Sequence, residues 1–438
     1  RWKGTTIYAL LNSIPLDQRT IFPILQKKYL ELKRKFGVLK SKEPKKSHVS
    51  AVGPPLPQLA YEKMNFDQWL ESFKEYDEKT DWSARYQNKR GFYFGGLMEH
   101  SRMFGAKVKE NPDKFYPFLL QIINERITPN YLSEGLRGLL ETKYPTDKIS
   151  AFIKTLDKRS NTRTIRNEII KGIEYLDRQN FLDDDIVEII CNYATNDPDP
   201  NKETWQINAS TGTPYYGGDP LTAGINTIRG SAAFALVKFR NVYPYKEKIF
   251  ETLERMAVDK SVSVKCSVIA NLNVLIHLDE DRIFKIFLAF TKDLNEEVLR
   301  NGIGTFSFYA KEKYSFLLKH IKQMLQISGS HGYESVQHFM GRLLMYLFVS
   351  GVRGIRDLFE EALKSSDERK AGALHYSVSH LTSSKLSIRR KARIIFKEFL
   401  QSQNQSIQNE YWRAFKEFNS SDFNELFDMQ APLKTIYI

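Results

Sequence analysis

Histidine and cysteine are the side chains in this sequence best suited to bind a metal ion or to act as nucleophiles. None of the histidines belongs to an H-E-x-x-H motif, and neither cysteine belongs to a C-x-x-C motif. The spacings between neighbouring histidines also miss the i, i+4 separation that places two ligands on one helix face. We therefore interpret the histidines as structural and the cysteines as small hydrophobic residues, and we predict no metal site and no cofactor. These residues are His48, His100, His277, His320, His331, His338, His375, His380, Cys191 and Cys266.

Motifs for covalent catalysis and for phosphate binding are also missing from the sequence. It contains no G-x-S-x-G nucleophile elbow, no G-x-G-x-x-G fingerprint and no G-x-x-x-x-G-K-[ST] loop. The sequence therefore nominates no catalytic residue, and it leaves open whether the protein is an enzyme. Because the chain begins at Arg1 in the middle of an apolar pattern, we expect it to be part of a longer protein. An NTPase or another effector domain would then lie outside these residues.

Length and composition exclude several classes of protein. The chain has 438 residues, of which 42% are hydrophobic, so it can bury a substantial core and is not globally disordered. No uninterrupted run of about 18 apolar residues occurs, which argues against a membrane-spanning helix. Two cysteines cannot form a disulfide framework, and we therefore expect a reducing, cytoplasmic location.

The positive charge is concentrated near the start of the chain. Residues 1–60 contain 12 Lys or Arg and three acids, a balance of +9 out of the net +13. Residues 26–39 have the apolar spacing of a helix with one cationic face, and residues 385–397 form a second basic amphipathic helix without an acid. Such faces bind nucleic acid phosphates, acidic partners or anionic membranes, or are simply solvated. The candidate nucleic-acid-binding residues are Lys27, Lys28, Lys33, Arg34, Lys35, Arg389, Arg390, Lys391 and Arg393.

Almost every patterned segment after residue 60 has helical periodicity, and strand signals are scarce. An apolar-basic pair followed by small residues recurs, most clearly at Ile228-Arg229, Val264-Lys265 and Leu299-Arg300. With weaker copies, the repeats start at 228, 264, 299, 336 and 369, which are 33 to 37 residues apart. The spacing predicts units of two short antiparallel helices that bury the apolar faces of their neighbours.

This pattern resembles the HEAT-repeat family, whose inner helix opens with an acid, an apolar-basic pair and alanines. The resemblance implies an all-α, HEAT-like helical-repeat solenoid, here preceded by a basic helical segment. In that family the basic residue bonds the acid of a neighbouring repeat. The resemblance assigns this structural-ladder role to Arg229, Lys265 and Arg300, with Arg166 as a further candidate. It identifies a fold and no activity.

Composition and repeats together predict the organisation of the chain. A basic helical segment, interpreted as the end of a preceding domain, is followed by a Pro-rich linker, irregular helical repeats, a long loop, HEAT-like repeats and a C-terminal cap. The corresponding ranges are 1–40, 41–60, 61–195, 196–224, 225–400 and 401–438.

The loop at 196–224 is unusually long for a connection inside a helical array, and such loops are often functional. Its aromatic residues Trp205, Tyr215 and Tyr216 are therefore candidates for partner binding. The alternative is that these aromatics fold back and cover the end of a helix pair. The loop acids lack the glycine turn and terminal glutamate of a calcium-binding EF-hand loop, in agreement with the prediction of no metal.

A narrower resemblance is carried by Gly96–Phe104, Asn111–Phe115, Leu136–Leu139, Asn196–Pro200 and Asn226–Gly230. These segments are similar to helical regions of large bacterial multidomain NTPases, including NACHT- or STAND-like proteins of antiphage defence, whose C-terminal helical array is the sensor. The resemblance implies a non-catalytic recognition or scaffold module that binds a protein ligand or further subunits, and it is compatible with an oligomer. Nucleic acid binding by the basic patches at 27–46 and 385–397 is the alternative function.

Overall fold

A computed structural model describes most of the chain. The described residues are 8, 11, 23–37, 52–80, 86–87, 93–159, 162–203, 205–206, 215–331, 334–399, 402 and 404–410. Within them helices predominate and each strand is two residues long, so the predicted all-α class is confirmed. The chain divides into two compact units, a first unit of residues 1–53 and 85–95 and a second unit of residues 54–84 and 96–438.

The first unit combines one amphipathic helix with a small sheet. Helix α1 (Pro23–Phe36) buries Leu32 in a cluster with Tyr8 and Leu11. Gly37 ends the helix with φ +74°, a left-handed conformation that glycine adopts without a steric penalty, and its carbonyl accepts a hydrogen bond from Tyr8. The sheet has the order β1-β3-β2, with β1 parallel and β2 antiparallel to β3. Its strands are β1 (Val52–Gly53), β2 (Tyr86–Gln87) and β3 (Tyr93–Phe94).

The second unit contains two runs of helices. The run before the long loop comprises α2 (Gln58–Lys63), α3 (Phe66–Glu75), α4 (Leu97–Glu110), α5 (Pro112–Ile122), α6 (Pro129–Leu140), α7 (Thr146–Arg159), α8 (Arg163–Arg178) and α9 (Asp184–Asn196). The run after it comprises α10 (Pro220–Ile225), α11 (Ile228–Val237), α12 (Lys246–Met256), α13 (Val262–Ile269), α14 (Glu280–Phe290), α15 (Glu296–Asn301), α16 (Ile303–Tyr309), α17 (Tyr314–Met324), α18 (Val336–Val349), α19 (Ile355–Lys364), α20 (Asp367–Val378) and α21 (Leu386–Glu398). Strands β4 (Ser330–His331) and β5 (Glu334–Ser335) form an antiparallel hairpin before α18.

Side-chain caps fix where many of these helices begin. The first backbone N–H groups of a helix have no intrahelical acceptor, and a short polar side chain at the N-cap supplies one. Asn65 and Gln68 form a reciprocal capping box at the start of α3. The later helices α11, α13, α14, α15, α18 and α20 each have a side-chain N-cap. These caps are Thr227, Ser261, Asp279, Asn295, Ser335 and Ser366.

Alternate helices of the second unit pack against one another, which builds two layers. In one layer, α4 contacts α6, α6 contacts α8, α8 contacts α11, and the series continues through α13 and α15; α18 and α20 pair in the same way. The other layer includes contacts of α9 with α12 and of α12 with α14. One continuous hydrophobic core extends from Tyr61 to Ile407 between these layers.

Glycines allow α18 and α20 to approach closely. A Cβ atom on Gly341 would lie 2.0 Å from the carbonyl oxygen of Arg369, and one on Gly372 would lie 1.9 Å from that of His338. No side chain larger than hydrogen fits at such distances, so both positions require glycine for this packing. The consequence for function is that residues on facing turns of α18 and α20 are brought together.

The linker, the long loop and the C-terminal cap are, like the other predicted segments, only partly described. Of the linker at 41–60, residues 41–51 lie outside the described part, whereas Val52 and Gly53 form β1 and α2 begins at Gln58. The loop at 196–224 contains a turn at Tyr215–Gly218, in which Tyr216 and Gly217 have positive φ, and the first residues of α10. Of the cap at 401–438, residues 405–410 are helical and residues 411–438 are not described. No helix in the described residues has the length and apolar character required to cross a membrane.

Candidate functional site

A groove with a volume of about 750 Å³ runs along α16, α18 and α20 of the second unit. Its walls combine aromatic side chains, among them Phe308 from α16, Tyr346 from α18 and Tyr376 from α20, with polar ones such as Glu312 and Arg342. Phe308 is 51% exposed, a large fraction for a phenylalanine at the edge of a helical core. The groove therefore offers apolar surface that is accessible from solvent.

The aromatic side chains of the groove are held in fixed orientations. The His380 ring stacks on the Tyr376 ring with centroids 4.2 Å apart, and His380 Nδ1 donates a hydrogen bond to the Tyr376 carbonyl oxygen at 2.9 Å. Tyr346 lies next to Tyr376, with ring centroids 6.1 Å apart. Burial, together with the neighbouring Tyr346, raises the pKa of Tyr376, so its hydroxyl remains a hydrogen-bond donor.

A cluster of two histidines and two glutamates adjoins the groove, and His375 belongs to both. His338 Nδ1 lies 2.5 Å from Glu334 Oε1, and His338 Nε2 lies 3.5 Å from Glu410 Oε1. His375 Nδ1 lies 3.1 Å from the other carboxylate oxygen of Glu410. Arg342, which also lines the groove, donates to Glu334 at 2.9 Å. Below, "the His/Glu cluster" means His338, His375, Glu334 and Glu410.

Ion pairing dominates the electrostatics of the His/Glu cluster. Burial disfavours the charged form of His338, but hydrogen bonds to Glu334 and Glu410 outweigh it and raise the pKa of His338 to about 9. Burial likewise opposes ionisation of Glu410, yet its bonds to His338 and His375 lower the pKa of Glu410 to about 2. The pKa of Glu334 is also lowered, because His338 and Arg342 offset the effect of burial.

The residues of the His/Glu cluster come from three segments of the chain. Ser335 caps α18, which places Glu334 just before the helix and His338 in its first turn, four residues later. His375 lies in the last turn of α20, whose close approach to α18 depends on Gly341 and Gly372. The third segment is the helical turn at 405–410, which carries Glu410.

The turn at 405–410 is itself anchored to the repeats. Asn404 donates a side-chain hydrogen bond to Asp367 at 3.0 Å, and Ile407 is buried in the hydrophobic core. These contacts hold Glu410 beside the two histidines. The cluster therefore depends on tertiary packing of segments that are far apart in sequence.

The sequence-predicted loop residues lie away from this groove. Trp205 is half-buried and donates to Glu203 at 2.7 Å, and Glu203 in turn accepts a hydrogen bond from the backbone N–H of Ser263. Tyr216 is 44% exposed and has φ +53°. The side chain of Tyr215 lies outside the described residues. Of the two whose side chains are described, Tyr216 is the more exposed.

The loop acids are used inside the protein. Asp197 pairs with Arg166 at 2.8 Å, and Asp199 pairs with Arg163 at 3.1 Å. Asp199 also accepts a hydrogen bond from the backbone N–H of Ile228 at the start of α11. The start of the long loop is thus attached to the helices on both sides of it.

The ladder residues have three different environments. Arg229 pairs with Asp259 of the next unit at 3.0 Å and also donates to the Asp197 carbonyl oxygen. Arg300 instead pairs with Glu297 of its own helix at 3.4 Å and donates to the Ser328 carbonyl oxygen. Lys265 has no side-chain hydrogen bond or ion pair within the described part of the chain.

Further arginine–acid pairs between repeats occur upstream, where the repeat pattern is weak. Arg166 on α8 bonds Asp197, and Arg137 on α6 bonds Glu168 of α8 at 3.1 Å. Arg137 was not identified from the sequence. The available signal was its spacing, because Arg137 and Glu168 are 31 residues apart, close to one repeat.

The two basic segments differ in how much of their charge faces solvent. On α1 the candidate residues Lys27, Lys28, Lys33, Arg34 and Lys35 are all exposed, and Lys28 pairs with Glu31 at 3.0 Å. On α21 half of the predicted set is used internally.

In that second segment, Lys391 donates to the Phe348 carbonyl oxygen at 2.8 Å, and the buried Arg393 donates to that of Leu381 at 3.1 Å. Arg390 is exposed and Arg389 is half-buried. The α1 segment therefore presents the denser cationic face of the two.

The His/Glu cluster was missed because its members are remote in sequence. His338 and His375 are 37 residues apart, which is one repeat, and that periodicity was the signal available before the structure. Glu410 lies beyond the repeats and gave no signal.

Comparison with known proteins returns no relative. No protein-family model matches the chain, and neither a curated protein nor a solved structure matches it.

Proposed function

We propose that this chain is a non-catalytic recognition module, built from HEAT-like repeats, that binds a protein ligand in the groove formed by α16, α18 and α20. The observation that carries the proposal is the aromatic lining of this groove, in which Phe308 is exposed and Tyr346 and Tyr376 are half-buried, together with Arg342. Aromatic and arginine side chains supply most of the binding energy at protein interfaces, because they bury a large area at low entropic cost. A groove of this size accommodates one or two anchoring side chains of a partner.

The HEAT-like element of the proposal rests on three agreeing observations. Apolar-basic pairs recur every 33 to 37 residues, alternate helices pack on one another, and Arg229 and Arg166 bond acids about one repeat away. Arrays of this kind bind partners along an extended surface of stacked inner helices. Two of the three groove helices, α18 and α20, pack on each other in this alternate manner.

Site-specific photo-crosslinking in the organism of origin tests the proposal. A benzoylphenylalanine in place of Phe308 is expected to capture a discrete protein partner. The same probe in place of Tyr243, which is 73% exposed and remote from the groove, serves as the matched control. Changing Tyr376 to Ala should abolish capture from position 308. Capture of the same proteins from both positions, or capture that ignores Tyr376→Ala, would refute the groove as the binding site.

The resemblance to helical regions of multidomain NTPases supports a finer proposal. In this version the module is the sensor or regulatory part of a bacterial defence ATPase, and ligand binding favours one arrangement of the array that releases the ATPase. In the full-length protein, Tyr376→Ala should leave basal ATP hydrolysis intact and remove its stimulation by the partner captured above. Stimulation that survives the substitution contradicts this coupling.

Nucleic acid binding by α1 is the second candidate function, and the exposed basic face of α1 favours it. Binding through phosphates weakens with salt, with a slope of about 0.9 per phosphate on logarithmic scales for duplex DNA. The double change Lys33→Glu and Arg34→Glu should abolish DNA or RNA retention at low salt, whereas Arg389→Glu with Arg390→Glu should reduce it less. DNA or RNA binding that is insensitive to salt and to both pairs of substitutions excludes this function.

A further inference from the structure

We propose that His338, His375 and Glu410 form a binding site for a divalent transition metal of the zinc class. This inference is independent of the proposed function, since it concerns the His/Glu cluster and not the ligand of the groove. One ligand atom from each of the three residues lies within 4.8 Å of the other two. The three side chains are also partly buried, which limits competition from water.

The two distances between histidine and glutamate are close to those around a tetrahedral ion. Zinc binds histidine nitrogen and carboxylate oxygen at 2.0–2.2 Å, so that adjacent ligands of a tetrahedron are roughly 3.3–3.5 Å apart. Here His375 Nδ1 is 3.1 Å and His338 Nε2 is 3.5 Å from the carboxylate oxygens of Glu410. The three ligand atoms lie within 4.8 Å of one another, so the side chains must move closer together to bind one ion.

The outer shell has the arrangement that zinc-binding histidines require. A metal-bound histidine usually donates its second ring N–H to a carboxylate, which fixes the ring and increases its basicity as a ligand. His338 directs Nε2 towards Glu410 and Nδ1 towards Glu334, 2.5 Å away, so a metal at Nε2 replaces the proton on that nitrogen, which is released to solvent. Glu334 is fixed in turn by Arg342 at 2.9 Å. Arg342 and Glu334 therefore hold the His338 ring in place through Nδ1, on the side opposite the proposed metal.

The donor set indicates which metals bind. Imidazole nitrogens with one carboxylate suit zinc, cobalt and nickel, whereas magnesium and calcium prefer oxygen donors throughout. Three protein ligands leave the fourth tetrahedral position for water. Because His375 also lines the groove, the metal site lies at the edge of the groove.

A metal at this position would fasten three segments together. His338 is on α18, His375 on α20, and Glu410 on the turn at 405–410. A metal that binds only the folded arrangement stabilises it in proportion to its affinity and concentration. Zinc should therefore raise the melting temperature and protect the segment around Glu410 from proteolysis.

Metal titration of the whole chain, after dialysis against a chelator, tests the site. Calorimetry with zinc alone is expected to give one ion per chain, and cobalt alone should give the intense visible absorption of a tetrahedral complex. His338→Ala, His375→Ala and Glu410→Gln should each weaken zinc affinity by at least about 10-fold. Glu334→Gln, which changes only the outer shell, should weaken it by about 10- to 100-fold.

The controls separate ligand loss from misfolding. His277→Gln alters an exposed histidine whose ring, among the described residues, bonds the Val274 carbonyl oxygen, and it should leave zinc affinity unchanged. Glu410→Gln preserves side-chain size near the end of the described chain, and its metal-free circular dichroism should match that of the wild type. The proposal is overturned if folded wild-type protein binds no stoichiometric zinc or cobalt. It is equally overturned if folded Glu410→Gln and His375→Ala proteins bind zinc as tightly as the wild type.

Discussion

His100 and His338 occupy opposite environments within the second unit. His100 is fully buried among the rings of Tyr61, Trp69 and Tyr131, and burial lowers its pKa to about 3. His338 lies among carboxylates beside an open groove, where its pKa is raised to about 9. The difference shows that residue type alone does not separate a structural histidine from a chemically active one, because burial and neighbouring charge decide its protonation.

The two surroundings also differ in what they stabilise. The His100 ring is hydrogen-bonded on both sides, by the Tyr61 hydroxyl and the Ser72 hydroxyl at 2.9 Å each, so its polar atoms are satisfied inside an aromatic core. The His/Glu cluster instead joins three distant chain segments. We therefore expect substitutions near His100 to act on stability and substitutions near the groove to act on binding.

The largest expected effect is in the aromatic core around His100. Trp69 is fully buried against Tyr61, Phe73 and Phe104, and Trp69→Ala should reduce the free energy of unfolding by about 4 kcal/mol, because it leaves a large cavity. Urea unfolding followed by circular dichroism measures the loss. The half-buried Trp205 is the matched control, and its change to Ala should cost below about 1 kcal/mol. Equal losses at the two positions would contradict the contrast.

Acid should destabilise the protein through His100. The pKa of His100 is about 3 in the folded state and 6.5 when unperturbed, so the unfolded chain takes up the proton more readily as pH falls below 6.5. The stability present above pH 6.5 is then lost progressively, by about 3 kcal/mol at pH 4 for this group. Urea unfolding at pH 7 and pH 4 measures it. His100→Gln should reduce the pH dependence, whereas the exposed-site change His277→Gln should not; identical pH profiles would exclude His100 as the cause.

The contact between α18 and α20 gives the next effect in size. Gly372→Ala would place a Cβ 1.9 Å from the His338 carbonyl oxygen, and it should cost about 2 kcal/mol through overpacking. It should also separate His375 from His338 and so weaken zinc binding in the calorimetric assay. Gly304→Ala is the control, because its Cβ would meet Asn273 at an ordinary 3.6 Å. Unchanged stability and zinc affinity in Gly372→Ala would refute the role assigned to this contact.

The smallest expected effect on stability is at the groove surface. Phe308→Ala removes an exposed ring and should change the free energy of unfolding by no more than about 0.5 kcal/mol, yet it should weaken binding of the proposed partner. Phe306, two residues earlier on α16 and 1% exposed, is the matched comparison, and its change to Ala should cost about 3–5 kcal/mol. Thermal unfolding measures the stability of both variants. A benzoylphenylalanine probe at a second groove position, Tyr346, measures how well each variant captures the partner. A large stability loss in Phe308→Ala would assign that ring to the core.

The ladder arginines illustrate how far the repeat pattern predicts contacts. Arg229 and Asp259 are each placed by the repeat, and the two side chains meet. Arg300 occupies the corresponding position, but the next unit begins with the hairpin of β4 and β5, and Arg300 bonds Glu297 and the Ser328 carbonyl oxygen. A sequence repeat predicts where helices begin; the partner of a long side chain depends on what the following unit presents.

The sequence by itself determined the all-α class and the spacing of the repeats. Helical periodicity and N-caps such as Asp183 are local, because they depend on residues within one or two turns. The tertiary structure alone decided which polar residues meet in the His/Glu cluster. Glu334, His338, His375 and Glu410 converge because glycines let α18 and α20 touch and because Ile407 is buried in the core. Such contacts arise when separate helices stack, and no local pattern encodes the distance between side chains on different helices.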